Sequence, residues 1–276
     1  MISVVQLGTV DYASGLALQQ QLVALRKEEK IGDVLVLLEH KPVITLGRNA
    51  KAANVVASPE LLKQRGVEVF ECDRGGDVTF HGPGQIVGYP IFDLRGFPRE
   101  AAGRAPGARQ SLGAVEFVRR LEDVLIRTCA DFTIPAKPVA GLTGVWTNPE
   151  ISNAQTGADA FAGEAKIAAI GVHISRSVTS HGFALNVNTD LSQFDLIIPC
   201  GITGKPVTSM QSELGRVLDL NAVAESISRN VGVVFHSQIL WVDTVDALLG
   251  RTVGVPMKLP AELRQLHNKE DDTAWA

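Results

Sequence analysis

The sequence predicts an α/β (α+β) domain, and three observations carry that expectation. Strand-length apolar runs alternate along the chain with amphipathic segments of helix length. At 276 residues the chain is long enough for one large domain or two small ones. With 45% apolar and 20% charged residues, its composition is that of a globular protein.

Ile2 to Leu7 reads as a first strand. Tyr12 to Glu29 reads as an amphipathic helix, because Leu16, Leu18, Leu22 and Leu25 recur near helical spacing ahead of a charged end. Asp33 to Glu39 is a continuous apolar run, expected to be a central strand covered on both faces. His40-Lys41-Pro42 breaks it, and a strand resumes over Val43 to Leu46. Ser58-Pro59-Glu60 combines an N-cap with proline at the first helical position, so a short helix runs to about Arg65. Residues 67–71 and 86–94 read as strands on either side of a glycine-rich stretch. Arg95 to Gln110 holds four arginines and no periodicity, and is expected to be an exposed loop.

Ser111 starts a helix that continues to about Cys129, and strands follow near residues 136–139 and 142–146. Thr147 to Glu164 is polar and reads as a surface insertion. Lys166 to Val172 and His181 to Val187 read as buried strands joined by a turn around residues 176–180. Asp195 to Gly201 reads as an apolar strand ending in a Pro-Cys-Gly corner. Asn221 to about Asn230 is a helix, which residues 231–235 either continue or follow with a strand. No repeat or linker divides the chain before about residue 240. Residues 1–240 are therefore expected to be a single domain, and 241–276 an extension that is loosely packed or partly disordered.

The net charge of −4 argues against a nucleic-acid surface, which needs clustered Lys and Arg. Three widely spaced cysteines, Cys72, Cys129 and Cys200, make no disulfide framework and suit a reducing compartment. Neither a signal peptide nor a membrane-spanning run is visible, so a cytoplasmic protein is expected.

The residues most informative about chemistry fall in two regions. The first is Arg74-Gly75-Gly76-Asp77-Val78-Thr79-Phe80-His81-Gly82-Pro83-Gly84-Gln85, between two strands. Glycines at that density let the backbone approach a ligand closely, and with Arg74 and His81 they suggest the wall of a site. No GxxxxGK[ST] and no GxGxxG opening a helix accompanies them, so a phosphate cradle is not indicated. A glycine-rich wall followed by apolar strands suits an acyl chain equally well.

The second region runs from Lys166 to Cys200. Lys166 is the single lysine between residues 138 and 199, and it heads an apolar strand. Cys200 lies between Pro199 and Gly201 at the end of an apolar run. An inert buried cysteine is the ordinary fate of a lone Cys. A nearby cation, however, raises its thiolate fraction, and a lysine in an apolar cleft loses pKa and can take the thiol proton. Lys166 snorkelling to water is the bland alternative. His81 and His181 are alternative bases, whereas His173 is expected to be structural. No CxxC or HxxxH spacing supports a metal site.

The stretch RGGDVTFHGPGQIVGYPIFDL resembles the signature of the lipoyl(octanoyl) transferases of the LipB type, which act in lipoate biosynthesis. LEHKPVITLGR, KIAAIGV, HGFALNV and IIPCG are similar to further segments of that family, in the same order. The resemblance implies mixed sheets flanked by helices, as in the catalytic domain of biotin and lipoate protein ligases. It implies an octanoyltransferase that takes an octanoyl group from octanoyl-acyl carrier protein. The acceptors implied are lysines on lipoyl domains, those of 2-oxoacid dehydrogenase E2 subunits and the glycine cleavage H protein. Cys200 matches the family's acyl-thioester nucleophile and Lys166 the lysine that lowers its pKa. The acyl site is expected from Arg74, Gly75, Gly76, Asp77, Val78, Thr79, Phe80 and His81, with Ala169, Ile170, Gly171, Gly182, Phe183 and Ala184, and His181 in support. No cofactor, metal, nucleic acid or membrane is implied.

Two features depart from the family pattern. Ser177 stands where relatives usually carry tryptophan, and the insertions at 95–110 and 147–164 are long. Arg95, Arg99, Arg104 or Arg109 is expected to help dock an acidic carrier. The alternatives are an ATP-dependent lipoate or biotin ligase, and a non-catalytic module that binds acyl groups or lipoyl domains.

Overall fold

A computed structural model describes residues 1–97, 111–147, 164–199 and 205–249. Its centre is β2 (Asp33–His40), in which Val34 to Leu38 are buried on both faces as the continuous apolar run predicts. β1 (Ile2–Val10) lies parallel to β2 on one side. A small sheet contributes β3 (Val43–Leu46) at its centre, parallel to β4 (Glu68–Glu71) and antiparallel to β5 (Val78–His81). On the other side of β2, β6 (Gln85–Ile91) runs antiparallel to it. The large sheet then continues outward through β10 (Val178–Asn186), β9 (Lys166–Ser175), β8 (Leu142–Thr147) and β7 (Ala136–Val139). β11 (Ile239–Trp241) pairs parallel to β1 at the opposite edge.

Alternation along the strands divides the apolar residues between two layers. One face packs Leu37, Phe92 and Leu185 against α3 (Ala114–Asp131), through Phe117 and Leu125. The other face packs Val36, Ile91 and Ala184 against Leu18 and Leu22 of α1 (Tyr12–Lys27). Asp11 caps α1 by accepting from the Ser14 N–H at 2.8 Å, and Arg26 and Lys27 lie in its last turn, where the helix dipole favours cations. The short helix α2 (Pro59–Gln64) packs Leu62 into the small core, α4 (Met210–Leu214) packs Met210 into the α3-side core, and α5 (Leu220–Val234) packs beside α3. Residues 231–235 continue α5 to Val234. The final turn, α6 (Val245–Leu248), packs against β1, with Leu249 buried beside it.

Three local expectations differ from the structure. Residues 191–196 form a 3-10 helix capped by Asp190, and only Ile197 makes a lone bridge, to Val55. The apolar residues expected in a strand there, Leu196 and Ile197, instead fill the small core formed with Ile44, Leu62, Val67, Val78 and Phe80. β6 ends at Ile91, because the Asp93 carboxylate accepts from the Arg95 N–H and turns the chain into a 3-10 turn. α3 begins at Ala114 and not Ser111, since the Leu112 N–H donates to the Leu94 carbonyl and holds that segment extended. Among the described residues no helix is long and apolar enough to cross a membrane.

β5 was not visible as a strand within the glycine-rich stretch. Its Val78 and Phe80 point into the small core, whereas Thr79 and His81 point the other way. Phe80→Ala is expected to cost about 3–5 kcal/mol of unfolding free energy. Urea denaturation checks this, and a loss below 1 kcal/mol would mean that the small core does not hold β5.

Candidate active site

The site begins with small side chains on the α1-facing side of the large sheet. The registers set Ala169 opposite Ala184, Ala184 opposite Val87, and Gly171 opposite Gly182. These residues cut a trough across β9, β10 and β6. Opposite it lies the glycine-rich chain from Arg74 to Asp77, with Thr79 and His81 of β5. Tyr12, Tyr89, Ile170, Phe183 and the Gly141–Thr143 turn complete a cavity of about 250 Å³, and Lys166 lies in its wall.

The two walls touch where glycine makes contact possible. The Gly75 N–H donates to the Val172 carbonyl at 3.1 Å. A Cβ on Gly171 would lie 2.7 Å from the Gly75 oxygen across the walls, and within the large sheet one on Gly182 would lie 2.1 Å from the Gly88 oxygen. Backbone atoms cannot move aside as a side chain can, so neither position accepts a larger residue.

Arg74 and Asp77 hold the shape of this wall. The buried Arg74 guanidinium donates to the Thr45 carbonyl at 2.7 Å, to the Thr45 hydroxyl at 2.9 and 3.1 Å, and to the Gly75 carbonyl at 3.0 Å. Asp77 accepts from the Lys51 N–H at 3.1 Å, from the Val78 N–H at 2.8 Å and from the Asn54 amide. Val78 and Phe80 do not line the cavity, because alternation along β5 turns them to its far side.

The polar aromatics beside the cavity are kept neutral. Gln85 donates its amide N–H groups to Phe80 and Asn186, so its oxygen accepts from His81 Nδ1 at 2.7 Å. Burial, with the neighbouring His40 ring adding to it, pushes the His81 pKa down to about 3. His40 donates from Nδ1 to the Val10 carbonyl at 3.0 Å and accepts from the Tyr89 hydroxyl at Nε2 at 2.6 Å. Burial pushes it down to about 4. Tyr12 stacks on His81 with ring centroids 6.4 Å apart, and burial raises the pKa of both Tyr12 and Tyr89.

His181 is held from two directions. Its backbone N–H donates to the Gln19 side-chain oxygen, and its Nε2 donates to Asp73 Oδ1 at 2.6 Å. The other Asp73 oxygen accepts from His173, whose Nε2 accepts from Arg48 at 3.2 Å. Burial raises the Asp73 pKa, but hydrogen bonds from His181 and His173 outweigh it and leave the carboxyl below its usual range. Burial lowers the His181 pKa against the pull of Asp73.

Lys166, the first residue of β9, is 7% exposed, and its Nζ lies 5.2 Å from the centre of the buried Trp146 ring. Lys205 Nζ lies 5.1 Å from the same ring and pairs with Glu164, which also takes Lys137 at 3.0 Å. Cys200 lies outside the described residues. The chain on either side of it is anchored to this site. Before it, the Ile198 N–H donates to the Asn54 carbonyl at 2.7 Å, and Asn54 binds Asp77. After it, the Lys166 N–H donates to Pro206 at 2.8 Å and the Thr208 N–H returns to Lys166 at 2.9 Å.

Sequence reasoning missed Tyr12, Val87, Tyr89 and the Gly141–Thr143 turn as cavity residues. One signal was available for two of them: the chain has only two tyrosines, and both line this cavity. Arg95, expected on a docking loop, has its guanidinium bound to Asp93 at 2.5 and 2.9 Å. Arg99, Arg104 and Arg109 lie outside the described residues. Ser177 sits at the β9–β10 turn with φ of 65°, its carbonyl accepting from the Leu94 N–H at 2.8 Å.

Comparison with known proteins matches residues 11–232 to the lipoyl protein ligase A/B catalytic domain. The octanoyltransferase of Koribacter versatilis (strain Ellin345) is 56% identical over 99% of this chain and 98% of its own length. That of Acidobacterium capsulatum is 53% identical over 90% and 96%. The chain belongs to this family, in its octanoyltransferase group. It is an acyltransferase.

Two solved structures share the fold of the family's catalytic domain. A bi-partite lipoate protein ligase from Thermoplasma acidophilum superposes with a TM-score of 0.61 at 14% identity, over 90% of each chain. Lipoate-protein ligase A bound with ATP gives 0.63 at 14%, over 91% of this chain and 93% of that one.

The buried histidines make stability depend on pH. Unfolded, His40 and His81 titrate near 6.5, but the folded protein keeps them neutral to about 4 and 3. Between those limits the unfolded chain binds protons that the fold refuses, so stability falls as pH drops below about 6.5. His40→Gln is expected to reduce the slope of unfolding free energy between pH 6 and 5 by about one proton, or ~1.4 kcal/mol per pH unit. Urea denaturation across that range measures it, and an unchanged slope would place the proton elsewhere.

Proposed function

We propose that this octanoyltransferase moves its acyl group through a thioester on Cys200, with Lys166 transferring the protons. The donor proposed is octanoyl-acyl carrier protein and the acceptor is a lysine of a lipoyl domain. The observation that carries this reading is Lys166 itself. It is a buried lysine in the wall of the cavity, and its backbone is joined to the chain that follows Cys200. A lysine is costly to bury without a task.

In the first half-reaction Lys166 takes the Cys200 proton and the thiolate attacks the carrier thioester. The carrier leaves as its own thiol, recovering a proton, and the octanoyl chain stays on Cys200. The small-residue trough of Ala169, Gly171, Gly182 and Ala184 gives that chain an apolar floor. In the second half-reaction the neutral acceptor amine attacks the thioester. Lys166 accepts the proton the amine loses, and the sulfur departs as the Cys200 thiolate. A thioester is already activated, so the cycle consumes no ATP.

Intact mass spectrometry tests the route. Incubation with octanoyl-carrier protein and no ATP should add one octanoyl group to the protein and none to a Cys200→Ser variant. A requirement for ATP, or acyl transfer that survives loss of the thiol, would favour the ligase chemistry of the wider family.

Lys166→Ala should keep the fold and slow acylation by roughly 10²–10⁴-fold, the usual cost of a lost general acid–base group. Its residual rate should climb with pH, because an unassisted thiol ionises only near pH ~8.5. A pH–rate profile matching that of the wild type would remove Lys166 from the mechanism.

A further inference from the structure

A second cavity, of about 390 Å³, lies between α1 and the β9–β10 hairpin. Leu16, Val23, Ala24 and Val178 supply its apolar surface, and the rest of its lining, Lys27, Glu28, Asp73, His173 and Arg176 included, is polar or charged. His181 is the single residue that it shares with the cavity described above. His181 is therefore the residue at which the two spaces adjoin.

The first cavity follows β9 from Lys166 to Gly171, a distance of roughly 16 Å at the rise of a strand. With the acyl carbonyl at the Lys166 end, the methyl end of the chain points toward Gly171, Gly182 and His181. We infer that His181 is the end wall that limits acyl-chain length, and that the groove behind it is the space a longer chain would enter. This inference rests on the proposed acyl-enzyme route.

Several features hold His181 firm. Asp73 binds the ring, Gln19 binds the backbone N–H, and β10 carries His181 at a φ of 56°. That is the left-handed region, which a non-glycine residue occupies at a cost and only when its surroundings hold it there. A longer chain in the wild type would have to displace the ring from Asp73. Glycine adopts this backbone freely, so His181→Gly removes the wall without adding strain. Asparagine also tolerates the left-handed region and is smaller than histidine.

The test compares acylation of the full chain by octanoyl-, decanoyl- and dodecanoyl-carrier protein, read by intact mass in competition. His181→Gly should raise the dodecanoyl-to-octanoyl ratio about tenfold or more, the lower range for methylene-scale discrimination in an apolar pocket. Ala24→Trp fills the groove from α1 and should leave the octanoyl rate of the wild type unaltered. Added to His181→Gly, it should return the ratio toward the wild-type value.

An unchanged ratio in a folded His181→Gly protein overturns the inference, as does a raised ratio that Ala24→Trp does not reverse. Should the glycine variant fail to fold by circular dichroism, His181→Asn gives the same reading. Absence of any acyl adduct on the wild type would instead overturn the acyl-enzyme route, a distinct result.

Discussion

The site depends on one junction: the Gly75 N–H bonded to the Val172 carbonyl, with Arg74 behind it bonded to Thr45. The Gly75 bond joins the chain between β4 and β5 to β9 of the large sheet, the Arg74 bonds tie that chain back to β3, and the cavity lies beside this junction. The junction is sterically exacting, since Gly75 approaches Gly171 too closely for a side chain at residue 171. It is also polar, with the Arg74 guanidinium donating to two carbonyls and a hydroxyl in a buried position. A buried polar group is tolerated when its hydrogen bonds are made, and here those bonds fix the wall.

The same principle governs the histidines. His40, His81 and His181 lie beside a cavity proposed for an apolar chain, and burial disfavours the charged form of each. Their hydrogen bonds to Val10, Gln85 and Asp73 assign each ring a fixed orientation. Neutral, oriented rings can shape an apolar pocket without the desolvation cost of an imidazolium. Lys166 differs from them in lying at the strand start, near Lys205, Glu164 and the Trp146 ring.

Much of this architecture could be read locally. The buried run of β2, the capped starts of α1 and α2, and the strands headed by Lys166 and ending at Asn186 all carry period or cap signals. The 3-10 helix at Leu191–Leu196 could not be separated from a strand, because a short apolar run has the same composition in either state. Asp73 passed unnoticed for a related reason. Its partners, His173 and His181, lie about a hundred residues further along the chain and meet it only through the β9–β10 pairing.

By itself, the amino-acid sequence determined the α/β class, the glycine-rich wall with Arg74 and His81, and the family resemblance that the comparisons bear out. Tertiary structure decided which of those residues face the cavity. Thr79 and His81 face it while Val78 and Phe80 do not, and Tyr12 and Tyr89 join from other segments. The reason is that side-chain facing along a strand is set by pairing register and by what each face is packed against. Those are properties of contacts between segments, and no segment read alone contains them.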